Sequence, residues 1–132
     1  MSKIIIYWTG TGNTESIANK LAEDLGIEAR NVDSITVDEA LAYDLVIFGC
    51  PAMGAEELED STFRPFYDEY KSKKENARVA LFGSYDWGDG EWLRLWEAEA
   101  KEAGEEVLGT LKVNGDISVA DSSEYDAFVK AL

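Results

Sequence analysis

The sequence of 132 residues contains no histidine, one cysteine and two prolines. Without histidine the chain lacks the residue that most often moves protons in enzymes, and no other side chain stands out to replace it. A single cysteine, Cys50, excludes an internal disulfide and fits a reducing compartment. The composition therefore offers little for catalysis by proton transfer and points to function by binding.

Basic residues are also scarce. The 12 lysines and arginines face 27 acidic residues, which gives a net charge of -15. Nucleic acids and anionic membranes need a basic face, so neither is an expected partner. The charge favours a basic protein partner, or serves only to keep the chain soluble.

Long hydrophobic runs are absent as well. The apolar run near the N-terminus, IIIYW, has five residues, which is too short for the core of a signal peptide, and no longer one follows. Hydrophobic residues still make up 45% of the chain, enough for a well-packed core. We expect a single soluble, cytoplasmic domain over residues 1–132.

Apolar runs alternate with segments of helical periodicity. The predicted strands cover residues 3–8, 27–32, 44–50, 77–84 and 105–113, the last one interrupted near Gly109. The predicted helices cover residues 14–25, 37–41, 63–71, 90–104 and 122–132. Such alternation is typical of an α/β fold with three layers, here a doubly wound parallel sheet of five strands. Ligands bind beyond the carboxyl ends of such strands, where three unusual loops lie, at residues 9–14, 50–60 and 84–91.

The first loop combines glycines and hydroxyls immediately before a helix. It reads Thr9, Gly10, Thr11, Gly12, Asn13, Thr14. Glycines let the backbone approach a ligand closely, and the N–H groups at a helix N-terminus attract anions. We interpret the loop as a phosphate site, although a plain capped turn would use some of the same residues.

Better-known phosphate sites do not match this loop. A nucleoside-triphosphate loop needs a lysine directly after its last glycine, and the nearest cation is Lys20, inside the helix. A dinucleotide site needs a third glycine where Glu15 stands, but Asp33 lies where a ribose-binding acid would fall, so this alternative stays open. A cysteine phosphatase needs an arginine where Glu56 stands, which makes Cys50 a buried apolar residue and not a nucleophile.

The other two loops carry large apolar side chains. Met53 precedes Gly54 in the second loop, and Trp87 stands between an aspartate and a glycine in the third. A thioether and an indole packed against a flat surface suit a planar heteroaromatic ligand, although either residue could instead fill a gap in the core. With one phosphate site in view, a ring system carrying a monophosphate fits best.

Three segments together resemble one protein family. YWTGTGNTE, FGCPAMGAEELEDS and LFGSYDWGDGEW, in this order, are similar to the flavodoxins, most closely the short-chain type of anaerobic bacteria. The resemblance covers nearly the whole chain. It implies a sheet of order 2-1-3-4-5, non-covalent FMN as cofactor, and no enzymatic activity. It also implies a monomer that carries single electrons between redox enzymes at low potential, shuttling between semiquinone and hydroquinone.

The resemblance also implies roles for individual residues. The loop from Thr9 to Thr14 would hold the FMN phosphate, and Met53 and Trp87 would enclose the ring. The carbonyl of Gly54 would accept a hydrogen bond from N5–H of the semiquinone, and Glu56 would bond the N3 edge. The remaining implied contacts are Pro51, Ala52, Ala55, Ser84, Tyr85, Asp86, Gly88, Asp89, Gly90 and, at the ribityl chain, Asn114. No metal ligand is expected.

Three positions depart from the family pattern. Pro51 replaces a serine seen in some members, Ala55 replaces a larger polar residue, and Asp86 stands where glycine is frequent. Acidic residues crowd the expected ring edge, and we predict that they lower the potential and dock basic redox partners. These residues are Glu56, Glu57, Glu59, Asp60, Asp86, Asp89 and Glu91.

Two other functions fit the same pattern less well. One is an FMN-binding or acidic interaction module without a role as electron carrier. The other is an FMN-dependent reductase, for which 132 residues leave no insertion to build a substrate pocket. The absorption spectrum of the purified protein distinguishes a flavin carrier from a module that binds no flavin.

Overall fold

The computed structural model describes residues 2–54 and 56–132. Its five strands are β1 (Lys3–Tyr7), β2 (Ala29–Asn31), β3 (Leu45–Gly49), β4 (Arg78–Tyr85) and β5 (Glu106–Asn114). Its five α-helices are α1 (Asn13–Leu25), α2 (Val37–Leu41), α3 (Phe63–Lys73), α4 (Glu91–Glu102) and α5 (Ser122–Ala131). All neighbouring strands run parallel in the order β2-β1-β3-β4-β5, which confirms the predicted fold.

The two faces of the sheet bury different kinds of side chain. Helices α2, α3 and α4 cover one face with an aromatic-rich core, in which Phe48 of β3 meets Tyr67 and Tyr70 of α3 edge-on. Helices α1 and α5 cover the other face, where the core is largely aliphatic. Alternate residues of each strand enter opposite cores, which explains why the strands read as continuous apolar runs.

Strand β5 contains an irregularity at the predicted interruption. Val79 and Leu81 of β4 pair with Val107 and Thr110, so β5 has one residue more than its neighbour between these pairs. This is a β-bulge, which lets the strand bend without losing its partner. The interruption predicted near Gly109 is therefore a local shift of register, and β5 continues through it to Asn114.

The strand ends relevant to binding meet at one edge of the sheet. Tyr7 of β1 pairs with Gly49 of β3, which pairs in turn with Phe82 of β4. The loops that follow β1, β3 and β4 consequently leave the sheet side by side, as predicted. In the described parts of the chain, no helix has both the length and the apolar character needed to cross a membrane.

Candidate functional site

The loop after β1 ends in a helix N-terminus without a side-chain cap. Gly12 occupies the N-cap position with φ of 99°, a left-handed conformation that favours glycine. Its N–H donates to the hydroxyl of Thr9 over 3.1 Å, which closes the loop on itself. Among the described residues no side chain caps the first turn of α1, so its N–H groups are available to an anion.

A buried hydroxyl pair joins this loop to the end of β4. Thr14 and Ser84 are 1% and 5% exposed, and their hydroxyl oxygens lie 2.9 Å apart. The N–H of Ser84 also donates to the Thr14 hydroxyl, over 3.4 Å. Both residues were predicted to bind the ligand. The bond fixes the first loop relative to the third.

The loop after β3 makes a tight turn that presents Met53. The N–H of Ala52 donates to the carbonyl of Ser84 over 3.0 Å, which ties the loop to β4. Met53 and Glu57 then form an antiparallel bridge through two backbone hydrogen bonds of 2.8 and 2.9 Å. Within the turn, Gly54 and Glu56 have positive φ angles of 50° and 57°. The predicted contact Ala55 lies outside the described residues.

The loop after β4 presents Trp87. Its indole is 68% exposed, and Met53 is 37% exposed, although large apolar side chains are normally covered. Gly88 has a φ of 87°, and a side chain there would meet the carboxylate of Glu56 at 2.7 Å. The Glu56 carboxylate accepts a hydrogen bond from the N–H of Glu91, at the start of α4, over 3.1 Å. The second and third loops therefore contact each other through Glu56.

The outer edge of these two loops is strongly negative. One carboxylate oxygen from each of Glu56, Asp89 and Glu91 lies within 4.8 Å of the others. The side chain of Glu59, which we expected at the same edge, is instead 6% exposed and turned towards the backbone of α3. That expectation was wrong because the start of α3 lacks another side-chain cap and takes the Glu59 carboxylate for this role.

Cys50 is a structural residue, as predicted. It is fully buried, and burial raises the pKa of its thiol to about 12. Its carbonyl accepts a hydrogen bond from the indole N–H of Trp92 over 3.1 Å, which fastens the end of β3 to α4. A thiol with this pKa stays protonated and does not act as a nucleophile.

The predicted residues that the structure describes lie in the three loops or at the adjoining strand ends. Asn114 is the last residue of β5 and pairs with Tyr85 of β4. The next residue, Gly115, donates its N–H to the Tyr85 carbonyl over 3.1 Å. Sequence reasoning missed Lys112, whose ammonium donates to the carbonyl of Asp89 over 3.1 Å and lies 6.0 Å from the Tyr85 ring centre. Its place beside the third loop depends on the bulge in β5, for which Gly109 was the only signal.

This donor set fits FMN. The uncapped N-terminus of α1 and its threonine hydroxyls suit a single phosphate, and the exposed Met53 and Trp87 suit a planar ring. The fold and the site together are those of a doubly wound α/β protein whose sheet has, at its carboxyl edge, a donor set suited to a mononucleotide.

Comparison with known proteins identifies the family. The family model described as flavodoxin matches residues 5–128. The chain is 43% identical over 115 residues to the flavodoxin of Megasphaera elsdenii, covering 83% of this chain and 84% of that protein. It is 44% identical over 111 residues to the flavodoxin of Clostridium beijerinckii, covering 80% of each. The chain belongs to the flavodoxin family and is of the short-chain type of anaerobic bacteria.

Solved structures agree with this assignment. The solution structure of two-electron reduced Megasphaera elsdenii flavodoxin has a TM-score of 0.88 at 38% identity, covering 98% of this chain and 96% of that one. Oxidised flavodoxin 2 of Bacillus cereus has a TM-score of 0.81 at 26% identity, covering 99% and 97%. Flavodoxins bind FMN, and they are electron-transfer proteins and not enzymes. The cofactor of this chain is therefore FMN, and the chain works with redox partner proteins.

Proposed function

We propose that residues 1–132 form a single FMN-binding domain that acts as a low-potential one-electron carrier, cycling between the one-electron and two-electron reduced forms of its cofactor. The observation that carries this proposal is the meeting of an uncapped helix N-terminus, two exposed apolar side chains and a cluster of carboxylates at one edge of the sheet. When bound, FMN supplies the chemistry by taking up and releasing electrons one at a time.

We assign the phosphate to the loop from Thr9 to Thr14. Its backbone N–H groups and hydroxyls donate hydrogen bonds, and the buried bond between Thr14 and Ser84 keeps the loop in place. The nearest lysine in sequence, Lys20, is paired with Asp24 further along α1. We accordingly assign the anion to the dipoles of this loop, whose own sequence carries no lysine or arginine.

We assign the ring to the space between Met53 and Trp87. Glu56 is positioned on the edge shared by the two loops, where it can accept a hydrogen bond from the ring. The Gly54 carbonyl is placed in a tight turn with positive φ, where it can serve as a further acceptor. The remaining contacts assigned to FMN are Pro51, Ala52, Ala55, Tyr85, Asp86, Gly88, Asp89, Gly90 and Asn114.

The simplest experiment is the absorption spectrum of the purified protein. Flavin bands and quenched flavin fluorescence are expected, and FMN added to the apoprotein should restore both. A colourless protein that FMN cannot turn yellow would contradict the proposal and favour a module without a flavin. This outcome is decisive because every role assigned above requires the bound ring.

The carboxylate cluster supports a low potential for the second electron. Glu56, Asp89 and Glu91 concentrate negative charge beside the proposed ring site, and this charge disfavours adding another. Each tenfold change in the equilibrium shifts a one-electron potential by about 59 mV. A redox titration should resolve two one-electron steps with the second well below free FMN. One two-electron step at the potential of free FMN would disprove the proposal.

The same negative edge supports docking of basic redox partners. Electrostatic docking raises the association rate and weakens as salt screens the charges. Transfer from the reduced protein to cytochrome c, a basic haem protein used as probe, should slow steeply between low and high salt. If the transfer rate does not change with salt, the negative edge has no role in docking and serves only solubility. Sedimentation at several concentrations tests the monomeric state that we also propose.

A further inference from the structure

An acidic residue, Glu15, directly follows the loop assigned to the phosphate. Glu15 is the third residue of α1 after the N-cap Gly12. A glutamate at this position commonly folds back and accepts a hydrogen bond from the N-cap N–H, in the arrangement called a capping box. Such a bond at α1 would bring a carboxylate to the N–H groups that are assigned to the phosphate.

Helix α2 of the same chain shows the arrangement fully formed. Glu39 is the third residue after the N-cap Thr36, and its carboxylate accepts from the Thr36 N–H over 3.0 Å. The Thr36 hydroxyl accepts in return from the Glu39 N–H over 3.1 Å. Glu15 stands at the same position relative to its own N-cap, although Gly12 is left-handed where Thr36 is extended.

Glu15 has another partner instead. Its carboxylate accepts a hydrogen bond of 3.0 Å from the hydroxyl of Tyr7, the last residue of β1. The N–H of Gly12 is directed to the Thr9 hydroxyl. Tyr7 is 7% exposed and packs in the core between the sheet and α1, so its ring holds the hydroxyl in a fixed place. Burial, followed by the bond to Glu15, raises the pKa of Tyr7, so the phenol remains a donor.

We propose that Tyr7 is a positioning residue for phosphate recognition: it holds the Glu15 carboxylate away from the N-terminus of α1 and keeps the N–H groups there free for FMN. This inference rests on the proposed function, since it assumes that the phosphate lies in this loop. Loss of the Tyr7 hydroxyl would release a negative charge that competes with the phosphate for the same donors.

The chain offers a matched control at the other end of α1. Tyr125 of α5 donates to Asp24 over 2.7 Å, so it also holds an acid of α1 from the same face of the sheet. Nine residues of helix, about 13 Å, separate Asp24 from Glu15. Tyr125→Phe thus removes the same kind of bond far from the phosphate site.

The test compares affinities of the apoprotein for FMN and for riboflavin, which lacks the phosphate. Tyr7→Phe should weaken FMN binding about tenfold and leave riboflavin binding unchanged, because only the phosphate competes with Glu15. Adding Glu15→Ala to Tyr7→Phe should restore FMN binding. Glu15→Ala alone should bind FMN at least as tightly as the natural sequence, and Tyr125→Phe should leave the FMN-to-riboflavin ratio unchanged.

Several outcomes would overturn the inference. These are unchanged FMN affinity in Tyr7→Phe, equal weakening of FMN and riboflavin, or a defect that persists after Glu15→Ala is added. If Tyr7→Phe folds poorly, Glu15→Ala alone provides the test. Weaker FMN binding in Glu15→Ala than in the natural sequence would then contradict the inference. If the natural sequence binds FMN no better than riboflavin, the phosphate assignment itself fails. Loss of the Tyr7 effect alone leaves that assignment intact.

Discussion

Two glutamates with the same exposed fraction, Glu59 and Glu105, have pKa values displaced in opposite directions. Each is 6% exposed. Burial opposes ionisation at Glu59, but hydrogen bonds from Ser61, Phe63 and Thr62 outweigh it and lower its pKa. Burial raises the pKa of Glu105, and the hydrogen bond from Tyr67 offsets only part of this effect. Glu59 accepts more hydrogen bonds and lies less deeply in the protein than Glu105, and both differences favour its charged form.

The donors differ because the two residues stand at different ends of helices. Glu59 precedes α3 and accepts from the N–H groups of Ser61, Thr62 and Phe63 over 2.9, 2.9 and 2.6 Å, and from the Ser61 hydroxyl. These groups form the positive end of the helix dipole. Glu59 thus carries a stable negative charge next to the loop that presents Met53.

Glu105 lies in the turn between α4 and β5, at the opposite edge of the sheet. One of its oxygens accepts from the Tyr67 hydroxyl over 2.7 Å, and the other has no hydrogen-bond partner among the described residues. Its charged neighbours are Lys71, which lowers its pKa, and Glu99, which raises it. Of these two glutamates, the one that follows β3 at the edge with the site is favoured in its charged form, and the one at the far edge is not.

Replacing Glu59 should have the largest effect. In Glu59→Ala three buried or half-buried N–H groups lose their acceptor, so the free energy of unfolding at pH 7 should fall by about 3 kcal/mol. Because the folded pKa is lowered, the contribution of Glu59 is present above its unfolded pKa and lost as pH falls through the folded pKa. Urea denaturation across acidic pH measures both effects.

The exposed neighbour Asp60 provides the control. Asp60→Ala should change the free energy of unfolding by less than about 0.5 kcal/mol. A comparable loss in both variants would show that general charge in this loop, and not the cap of α3, stabilises the protein.

Replacing Tyr67 should have the next largest effect. Tyr67→Phe removes the hydroxyl that donates to Glu105, so the protein should lose about 2 kcal/mol at pH 8. The loss should be smaller in acid, where the carboxyl group is protonated. Tyr70→Phe is the matched control one turn away, because the buried Tyr70 hydroxyl has no partner in the described chain. Equal losses in both variants would contradict the role given to the bond.

Neutralising Glu105 should stabilise the protein at high pH. The pKa of Glu105 is raised in the folded protein. Its stabilising contribution to the free energy of unfolding is therefore present below its unfolded pKa and is lost as pH rises through the folded pKa. Glu105→Gln keeps the acceptor for Tyr67 and removes the charge, so it should gain about 1 kcal/mol at pH 8 and nothing at low pH. Glu106→Gln, on the exposed neighbour, should show no such pH dependence. If Glu105→Gln were less stable than the natural sequence at pH 8, the charge on Glu105 would not be unfavourable in the folded protein.

The smallest effect should appear in the redox potential. With FMN bound, Glu59→Gln should raise the potential of the second electron on the order of 20 mV, because it removes one nearby negative charge. Glu105→Gln, at the far edge of the sheet, should leave that potential unchanged. Potentiometric titration of both variants provides the comparison, and equal shifts would show that distance to the site does not matter.

Most of the fold follows from local pattern. The five strands and five helices appear in sequence as apolar runs and helical periodicities, and their alternation predicts a parallel sheet. The two short 3-10 turns, Val32–Ser34 and Ile117–Val119, were not predicted because three residues carry no period. The interruption in β5 was predicted from Gly109, but its form as a bulge was not, since a lone glycine in a strand does not specify which irregularity it marks.

The residues that make up the site could be predicted from the sequence. The hydrogen-bond partners of its acidic side chains could not. Glu15 and Glu39 occupy equivalent positions in their helices, yet only Glu39 folds back onto its cap. The Glu15 carboxylate instead accepts from Tyr7, which β1 places beside α1, and its N-cap Gly12 is left-handed where Thr36 is extended. Glu59 likewise stands in an acidic run that reads as solvent-exposed, and only the packing of α3 shows that it is buried. Tertiary contacts of this kind have no local signal.

The ends of β3 and β4 also limit how sequences of this kind can change over evolutionary time. A side chain at Gly83 would lie 2.1 Å from the Cys50 carbonyl oxygen, and one at Gly49 would lie 2.2 Å from the Phe82 ring. The Cys50 carbonyl cannot move without shifting the backbone from which a binding loop starts, and the Phe82 ring is fully buried in the core. Substitutions are therefore poorly tolerated beneath the site and better tolerated on its exposed rim. Divergence among such carriers should accumulate in the rim, altering their charge while the frame under the cofactor stays the same.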